Sequence, residues 1–530
     1  MYAQTFSGTI LGIDGMIVTV EVDISNGLPQ FDVVGLGGSA VKEARDRVRA
    51  ALRNSGFEFP MQRITVNLAP ADLRKEGSGF DLSIALGILL ASKQIPPREK
   101  KTVILGEIAL DGTLLPIPGV LPILLEATKQ GFTDVVIPIH NESEARLVNA
   151  TILPASTLHE AVQLWKGDQP TSQPTVHHDN LPHSPHIFIE DTHHQKVSQE
   201  QRTTQDFADV CGQALVKRGL EVAAAGFHNV LLIGPPGSGK TMLATCMPSI
   251  MPEMSNDEAY ETTKIYSIAG HLTRKSGLIR ERPFRAPHHT ITQAALIGGG
   301  AHNPRPGECS LAHSGILFLD EMPEFPRSVL EVLRQPLESG KVAIGRVKQV
   351  YSYPAQFLLI GSMNPCPCGY YGSANQQQCT CHPSHVQRYR SRISGPLLDR
   401  IDIQLEVPRV SIELLGDRKE EEASVSIKKR VENARLLQLQ RFSHGKELPF
   451  NSRMSSGEIR RFIQLDQEAK RMLKVAFETM GLSARAYDRI LKVARTIADL
   501  SASDQVVAAH VAEAIRYRAL DRNLIKKELG

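Results

Sequence analysis

The sequence predicts an α/β nucleotide-binding core between an N-terminal α+β domain and a C-terminal helical domain. Three observations carry this. An apolar strand, VLLI, runs into the glycine-rich loop GPPGSGKT and then into a helical run. Two further apolar strands, in GILFLDEMPEF and FLLIGSMNP, end in polar residues suited to a phosphate site. Beyond residue 410, apolar residues recur at the three- and four-residue steps of helices.

A chain of 530 residues has room for roughly three or four domains of ordinary size. Its 42% apolar content suits packed soluble domains, and a net charge of +3 argues by itself for no partner. Any nucleic-acid contact would need a local basic surface. The run MIVTV near the start is too short for a signal segment and lacks a basic flank. No stretch approaches the roughly 20 apolar residues of a membrane span. The expectation is a cytoplasmic protein with no membrane partner. Seven cysteines, odd in number and unevenly spread, do not read as a disulfide framework.

The first block is 1–167. ILGIDGMIVTVEVDISNGLPQFDVVGL alternates like strands between Gly, Asp-Gly and Asn-Gly turns, and SAVKEARDRVRAALRNSGF switches to helical spacing with Val41, Ala44, Val48, Ala51 and Leu52 on one side. Residues 168–205 are rich in Pro, Thr and Gln and include His177, His178, His183, His186, His193 and His194. Their irregular spacing favours a flexible linker over a metal-binding tract. The second block, 206–409, carries the chemistry. The third, 410–530, reads as a small helical bundle rich in Lys and Arg, packed on the second.

Gly234, Pro235, Pro236, Gly237, Ser238, Gly239, Lys240 and Thr241 form a phosphate loop between strand and helix. Glycines let backbone N–H groups turn toward phosphate, Lys240 reaches the outer phosphates, and the Thr241 hydroxyl can ligate Mg²⁺. Asp320 can hold that Mg²⁺ through water, and Glu321 is the natural base or water-orienting group. Asn364, at the end of the third strand, can position the attacking water. Together these residues predict ATP hydrolysis.

The chain here resembles the AAA+ ATPases, specifically the magnesium-chelatase-like YifB/ComM family. RPFRAPHHT (282–290), ALIGGG (295–300), PGECSLAHSGILFLDE (306–321) and SGPLLDRIDI (394–403) carry the likeness over nearly the full length. The resemblance implies an AAA+ core with a helical lid, working as a homohexamer with ATP and Mg²⁺. Lys240 and Thr241 match the Walker A residues, Asp320 and Glu321 the Walker B pair, and Asn364 sensor 1. Arg400 looks like an arginine finger for a neighbouring subunit, and Arg485 resembles the sensor-2 arginine of the lid. The family's competence member implies ATP-driven branch migration of DNA in recombination or natural transformation, with recombination proteins as further partners. The alternative from another class is a protein-remodelling or chelatase-type subunit without DNA translocation.

Lys341, Arg346 and Lys348 are the DNA-contact candidates. By resemblance they sit on a hairpin before sensor 1 that can face a central pore, although a hairpin serving subunit packing fits the residues too. Arg282, Arg285, His288 and His289, with the flexible Gly298-Gly299-Gly300, form a second candidate segment. No base-reading module is recognisable, so structural or phosphate readout is expected over sequence reading.

The first block resembles the Lon-protease and ribosomal-S5 fold. Gly79 stands at the serine place, one after Ser78, and Leu121 at the lysine place. A Ser-Lys dyad needs both a hydroxyl and an amine, and Lys75 is a poor substitute. A scaffold, an oligomer-stabilising ring or a DNA platform is expected instead of a peptidase.

Cys366, Cys368, Cys379 and Cys381 form two C-x-C pairs that suit a structural Zn²⁺, with His382 as another donor; reduced or redox-active thiols are the other readings. A zinc here would brace the loop joining Asn364 to Arg400, and its loss is expected to loosen the ring while leaving nucleotide binding intact. Cys211, Cys246 and Cys309 read as small buried residues.

Overall fold

The structure, a computed structural model, describes residues 1–35, 39–71, 75, 77–167, 205–272, 277–300, 304–346, 349–372, 379–410, 421–442 and 449–518. The histidine-rich stretch and Lys348 lie outside these residues, as do the side chains of Val41 and Arg346. No helix among the described residues is long and apolar enough to cross a membrane.

The N-terminal strands are β1 (Tyr2–Leu11), β2 (Asp14–Ser25), β3 (Gln30–Val34), β4 (Arg63–Ala69), β5 (Thr102–Ile104), the short pair β6 (Glu107–Ile108) and β7 (Leu114–Leu115), β8 (Asp134–Pro138) and β9 (Thr151–Ala155). Seven of them form one mixed sheet in the order β3-β4-β2-β1-β5-β8-β9. Alternation along β2 sends Val18, Val20, Val22 and Ile24 to one face, into a core shared with the buried helix Asp81–Ala91. Ile17 faces the other way, into the core of helix Val120–Lys129. Ala44, Val48, Ala51 and Leu52 of helix Ser39–Asn54 are buried, as their spacing predicts.

The second unit is built on β10 (Val230–Ile233), β11 (Phe284–Arg285), β14 (Ile316–Leu319), β17 (Leu358–Met363) and β18 (Ile403–Glu406). Beside them run the pairs β12 (Gly298–Gly299) with β13 (Arg305–Pro306) and β15 (Lys341–Arg346) with β16 (Gln349–Pro354). The five-stranded sheet is parallel throughout, in the order β11-β14-β17-β10-β18. Its central strands are buried along their whole length, which explains their unbroken apolar runs. Ile233 pairs with Met363, and Leu319 with Gly361. The loops after β10, β14 and β17 therefore emerge at the same end of the sheet.

One hydrophobic cluster joins a face of this sheet to helices Ala214–Gly226, Lys240–Ile250, Ser424–Arg441 and Ala484–Leu500. The helical segment is thus part of the second unit's own packing. At the seam, buried Asp402 pairs with Arg489, and its Oδ2 lies 3.3 Å from His228 Nδ1 and from the Asn229 backbone nitrogen. His228 Nε2 reaches Thr496 Oγ1 at 2.8 Å. Asn451 bonds Thr496 at 3.1 Å and Asp499 at 2.7 Å, and Asp499 is held by Arg441. Burial alone would raise the Asp402 pKa, but Arg489 and His228 outweigh it and hold the carboxyl well below its usual range.

The N-terminal domain docks on helix Asn256–Ala269. The Gly119 backbone N–H donates to Ser267 O at 3.0 Å, and Ser267 Oγ donates to buried Glu144 at 2.6 Å.

Three expectations are corrected. Arg282 is buried, bonded to Glu258 and to the Pro252, Glu253 and Ser314 carbonyls, while Arg285 forms a two-pronged pair with Glu308. These arginines hold the fold together and do not offer charge to DNA. Gly298–Gly299 is a paired strand, fixed by its bonds to Arg305–Pro306, where a flexible segment was expected. Cys246 and Cys309 are buried, but Cys211 is only half-buried, in the turn before helix Ala214–Gly226.

Removing one partner of a buried ion pair strands the others, so Asp402→Ala should lower stability by about 3 kcal/mol. Because its folded pKa lies below the unfolded value of about 3.9, Asp402 contributes fully above that pH and loses its contribution as pH falls. Thermal unfolding of wild type and Asp402→Asn should show a gap in midpoint at pH 7 that narrows on acidification.

Candidate active site

The phosphate loop leaves β10 and turns into helix Lys240–Ile250, with Gly237 and Gly239 in the left-handed region at φ 74° and 85°. Lys240 is buried. Its Nζ donates to Gly234 O at 2.8 Å, Pro235 O at 2.9 Å and Asn364 Oδ1 at 3.2 Å. Burial pulls its pKa down, partly opposed by the charges of Asp320 and Glu321. An ammonium so placed can exchange carbonyl partners for phosphate oxygens. Pro235 is half-buried; Pro236 is exposed at the loop's outer rim.

Thr241 Oγ1 lies 3.0 Å from Asp320 Oδ2. Two hard oxygen donors beside a phosphate loop fit Mg²⁺, which Thr241 and Asp320 would hold and which would offset phosphate charge there. Ser362 holds the other Asp320 oxygen and also accepts the Glu321 backbone N–H at 2.9 Å. Glu321 is exposed and sits in the left-handed region at φ 50°, a conformation few non-glycine residues adopt. Its backbone bonds to Asp320 and Ser362 hold that turn in place. Lys240, Thr241, Asp320, Glu321 and Asn364 are thus gathered on three adjacent strand ends.

Arg400 is elsewhere. β18 runs parallel to β10, with Val230 opposite Ile403, so Arg400 lies at the strands' starting edge while the phosphate loop leaves their far end. About 13 Å of strand separates those edges. The Arg400 guanidinium pairs with Glu338 and donates to Pro396 O at 2.7 Å, and Asn229 Nδ2 bonds its carbonyl at 2.8 Å. Arg485 is exposed near the start of helix Ala484–Leu500. A hydrogen bond from Arg400 and its charge hold the Glu338 carboxyl below its usual range, with Arg485 and Arg334 adding to the effect. Arg400 is itself largely buried, with Glu338 as its ion-pair partner.

The four cysteines come together. Cys366 Sγ lies 3.3 Å from Cys368 and 3.6 Å from Cys379, and all four sulfurs are within 4.8 Å of one another. Tetrahedral Zn–S bonds of 2.3 Å place sulfurs about 3.8 Å apart, so the set fits a structural Zn²⁺. The Tyr370 backbone N–H, foremost, lowers the Cys368 pKa to about 6. His382 instead caps helix Pro383–Arg390 through Ser384.

Sequence reasoning missed Ser362, Gln213 and Glu338. Ser362 comes beside Asp320 only through the parallel register of the two strands. Gln213, whose Nε2 donates to Ser238 O at 2.9 Å, and Glu338 have no local signature.

Fold and site together define an ATP-binding AAA+ ATPase module of the magnesium-chelatase type. Profiles described as "Magnesium chelatase, subunit ChlI", "Subunit ChlI of Mg-chelatase" and "Magnesium chelatase, subunit ChlI C-terminal" match residues 206–415, 20–141 and 421–518. Competence protein ComM of Haemophilus influenzae is 44% identical over 529 residues, covering 99% of each chain. YifB of Salmonella typhimurium is 42% identical over 518 residues, 97% of this chain and 96% of the relative. A Lon protease of Salinispora arenicola is 29% identical over 159 residues, 28% of this chain and 20% of that protein. The chain belongs to the YifB/ComM family of magnesium-chelatase-like AAA+ ATPases, and its cofactors are ATP and Mg²⁺.

Ser362→Ala leaves the Asp320 carboxylate free to turn. Loss of such an outer partner should weaken Mg²⁺-dependent turnover by about 10- to 100-fold. An ATPase titration with Mg²⁺ checks this, and a fluorescent ATP analogue should still bind.

Proposed function

We propose that this chain is a chelatase-type remodelling ATPase that hydrolyses ATP between copies of itself. The observation that carries this is the separation of Arg400 from its own phosphate loop by the length of the parallel sheet. Lys240 holds the outer phosphates, Thr241 and Asp320 the Mg²⁺, Glu321 activates water and Asn364 positions it. Arg400 of a neighbouring copy stabilises charge on the transferred phosphate. Arg485, exposed near the start of its helix, reports nucleotide state from the helical lid as a sensor-2 arginine. A homohexamer in the cytoplasm is the assembly we assign. The N-terminal domain is a Lon-type fold used as a scaffold: Leu121 is buried in its helix and Gly79 has no hydroxyl.

A second reading makes DNA the substrate, with branch migration in recombination or transformation as the activity. It is favoured by the end-to-end match to a relative named as a competence protein. The β15–β16 hairpin supports it, with Lys341 exposed at its base and Val350 68% exposed near its tip. Six such hairpins would concentrate charge that the whole chain's +3 conceals.

ATPase and junction-migration assays on the purified protein test both readings. Arg400→Ala should lose about 10³-fold in turnover while still binding ATP, and Glu321→Gln should bind without hydrolysing. Undiminished turnover in Arg400→Ala would overturn the interfacial site. ATP-driven movement of a three- or four-way junction selects the DNA reading. ATPase activity that ignores DNA and moves no junction leaves the remodelling reading alone.

A further inference from the structure

The cysteine loop lies directly against the phosphate loop. Gly369 follows Cys368 at φ 87°, and a Cβ there would stand 2.4 Å from Pro236 Cδ. Only glycine brings backbone that close. Next, the Tyr370 backbone N–H bonds the Cys368 sulfur. The Tyr370 ring centre is 5.2 Å from the Arg409 guanidinium carbon. Arg409 in turn donates to Tyr370 Oη and to Pro236 O, both at 3.4 Å. Two residues before Cys366, Asn364 accepts from Lys240. The loop's opposite side is held by Gln213, which donates to Ser238 O at 2.9 Å and Pro408 O at 3.2 Å. The cysteine segment thus meets the nucleotide site at Lys240, at Pro236 and, through Arg409, at Pro236 O.

We infer that metal held by Cys366, Cys368, Cys379 and Cys381 sets the affinity for nucleotide by ordering the phosphate loop, with Tyr370 and Arg409 as the positioning residues. A phosphate loop binds through backbone N–H groups, whose directions must be fixed before they can act together. Order supplied in advance is order the ligand need not impose. Zn²⁺ joining the two C-x-C pairs would hold Cys368 in place and with it the adjoining Gly369 and Tyr370. With the metal gone, the Cys368 anchor of Tyr370 loosens, Arg409 loses its aromatic support, and Pro236 loses its backing. This reverses the expectation that zinc loss would leave nucleotide binding intact. The inference rests on the ATP-site reading of Lys240 and is independent of which molecule the ATPase remodels.

The test uses the full chain with Mg²⁺ present throughout, a fluorescent ATP analogue, elemental zinc analysis and a zinc-selective chelator. About one zinc per chain is expected. Chelation should weaken analogue binding about tenfold, and added Zn²⁺ should restore it. Tyr370→Ala and Arg409→Ala should retain zinc and far-ultraviolet circular dichroism yet weaken binding by several-fold. These variants answer the question even where chelation unfolds the chain. Protein that takes up no supplied zinc, or binding unchanged in both variants, would overturn the inference. Failure of the untreated protein to bind the analogue at all would instead overturn the ATP site itself.

Discussion

Val230 pairs with Ile360 on one side and with Ile403 on the other, and the parallel register of these three strands organises the whole catalytic unit. It carries the phosphate loop and Asn364 to one end of the sheet, where β14 adds Asp320 and Glu321. It also carries Arg400 to the opposite end. Hard oxygen donors, a buried ammonium and an exposed acid converge without Arg400. On the proposed reading a neighbouring copy supplies it, which would make turnover depend on assembly.

The same edge ties Arg400 to the helical domain. Asn229 bonds the Arg400 carbonyl, and its backbone nitrogen contacts Asp402, whose carboxylate is shared with Arg489 and His228. Arg453 adds a bond at 3.3 Å to Leu337 O, beside Glu338. A shift of the helices would therefore be felt at Arg400. At the far end of the sheet, the cysteine loop backs Pro236 and Asn364 reaches Lys240. One sheet thus carries a polar seam at its starting edge and a sulfur-rich segment packed at its finishing edge.

What could be read in the sequence was local. GPPGSGKT declares its chemistry within eight residues, and the apolar strands before Asp320 and Asn364 declare their burial. The ATPase fold and the gathered site residues followed from those stretches. Misreadings arose where meaning depended on a distant partner. Arg282 and Arg285 count as positive charge in a sequence, yet Glu258 and Glu308 neutralise them in the fold. Nothing near Asp402 in the sequence announces its pairing with His228, 174 positions away. Ser362 is one polar residue in an apolar strand, and only the neighbouring register shows what it holds. The cysteine spacing pointed to a metal; its contact with Pro236 could come only from the fold.

The central claim is that each active site is built from two copies, and complementation between two inactive variants tests it most directly. Lys240→Ala lacks a working phosphate loop but keeps Arg400, while Arg400→Ala keeps the phosphate loop and lacks the arginine. Separately each should be inactive. Mixed under conditions that let copies exchange, an Arg400→Ala site beside a Lys240→Ala neighbour is complete, so ATPase activity should return in proportion to such pairings. Mixtures that assemble yet remain as inactive as their components would contradict a site shared between copies.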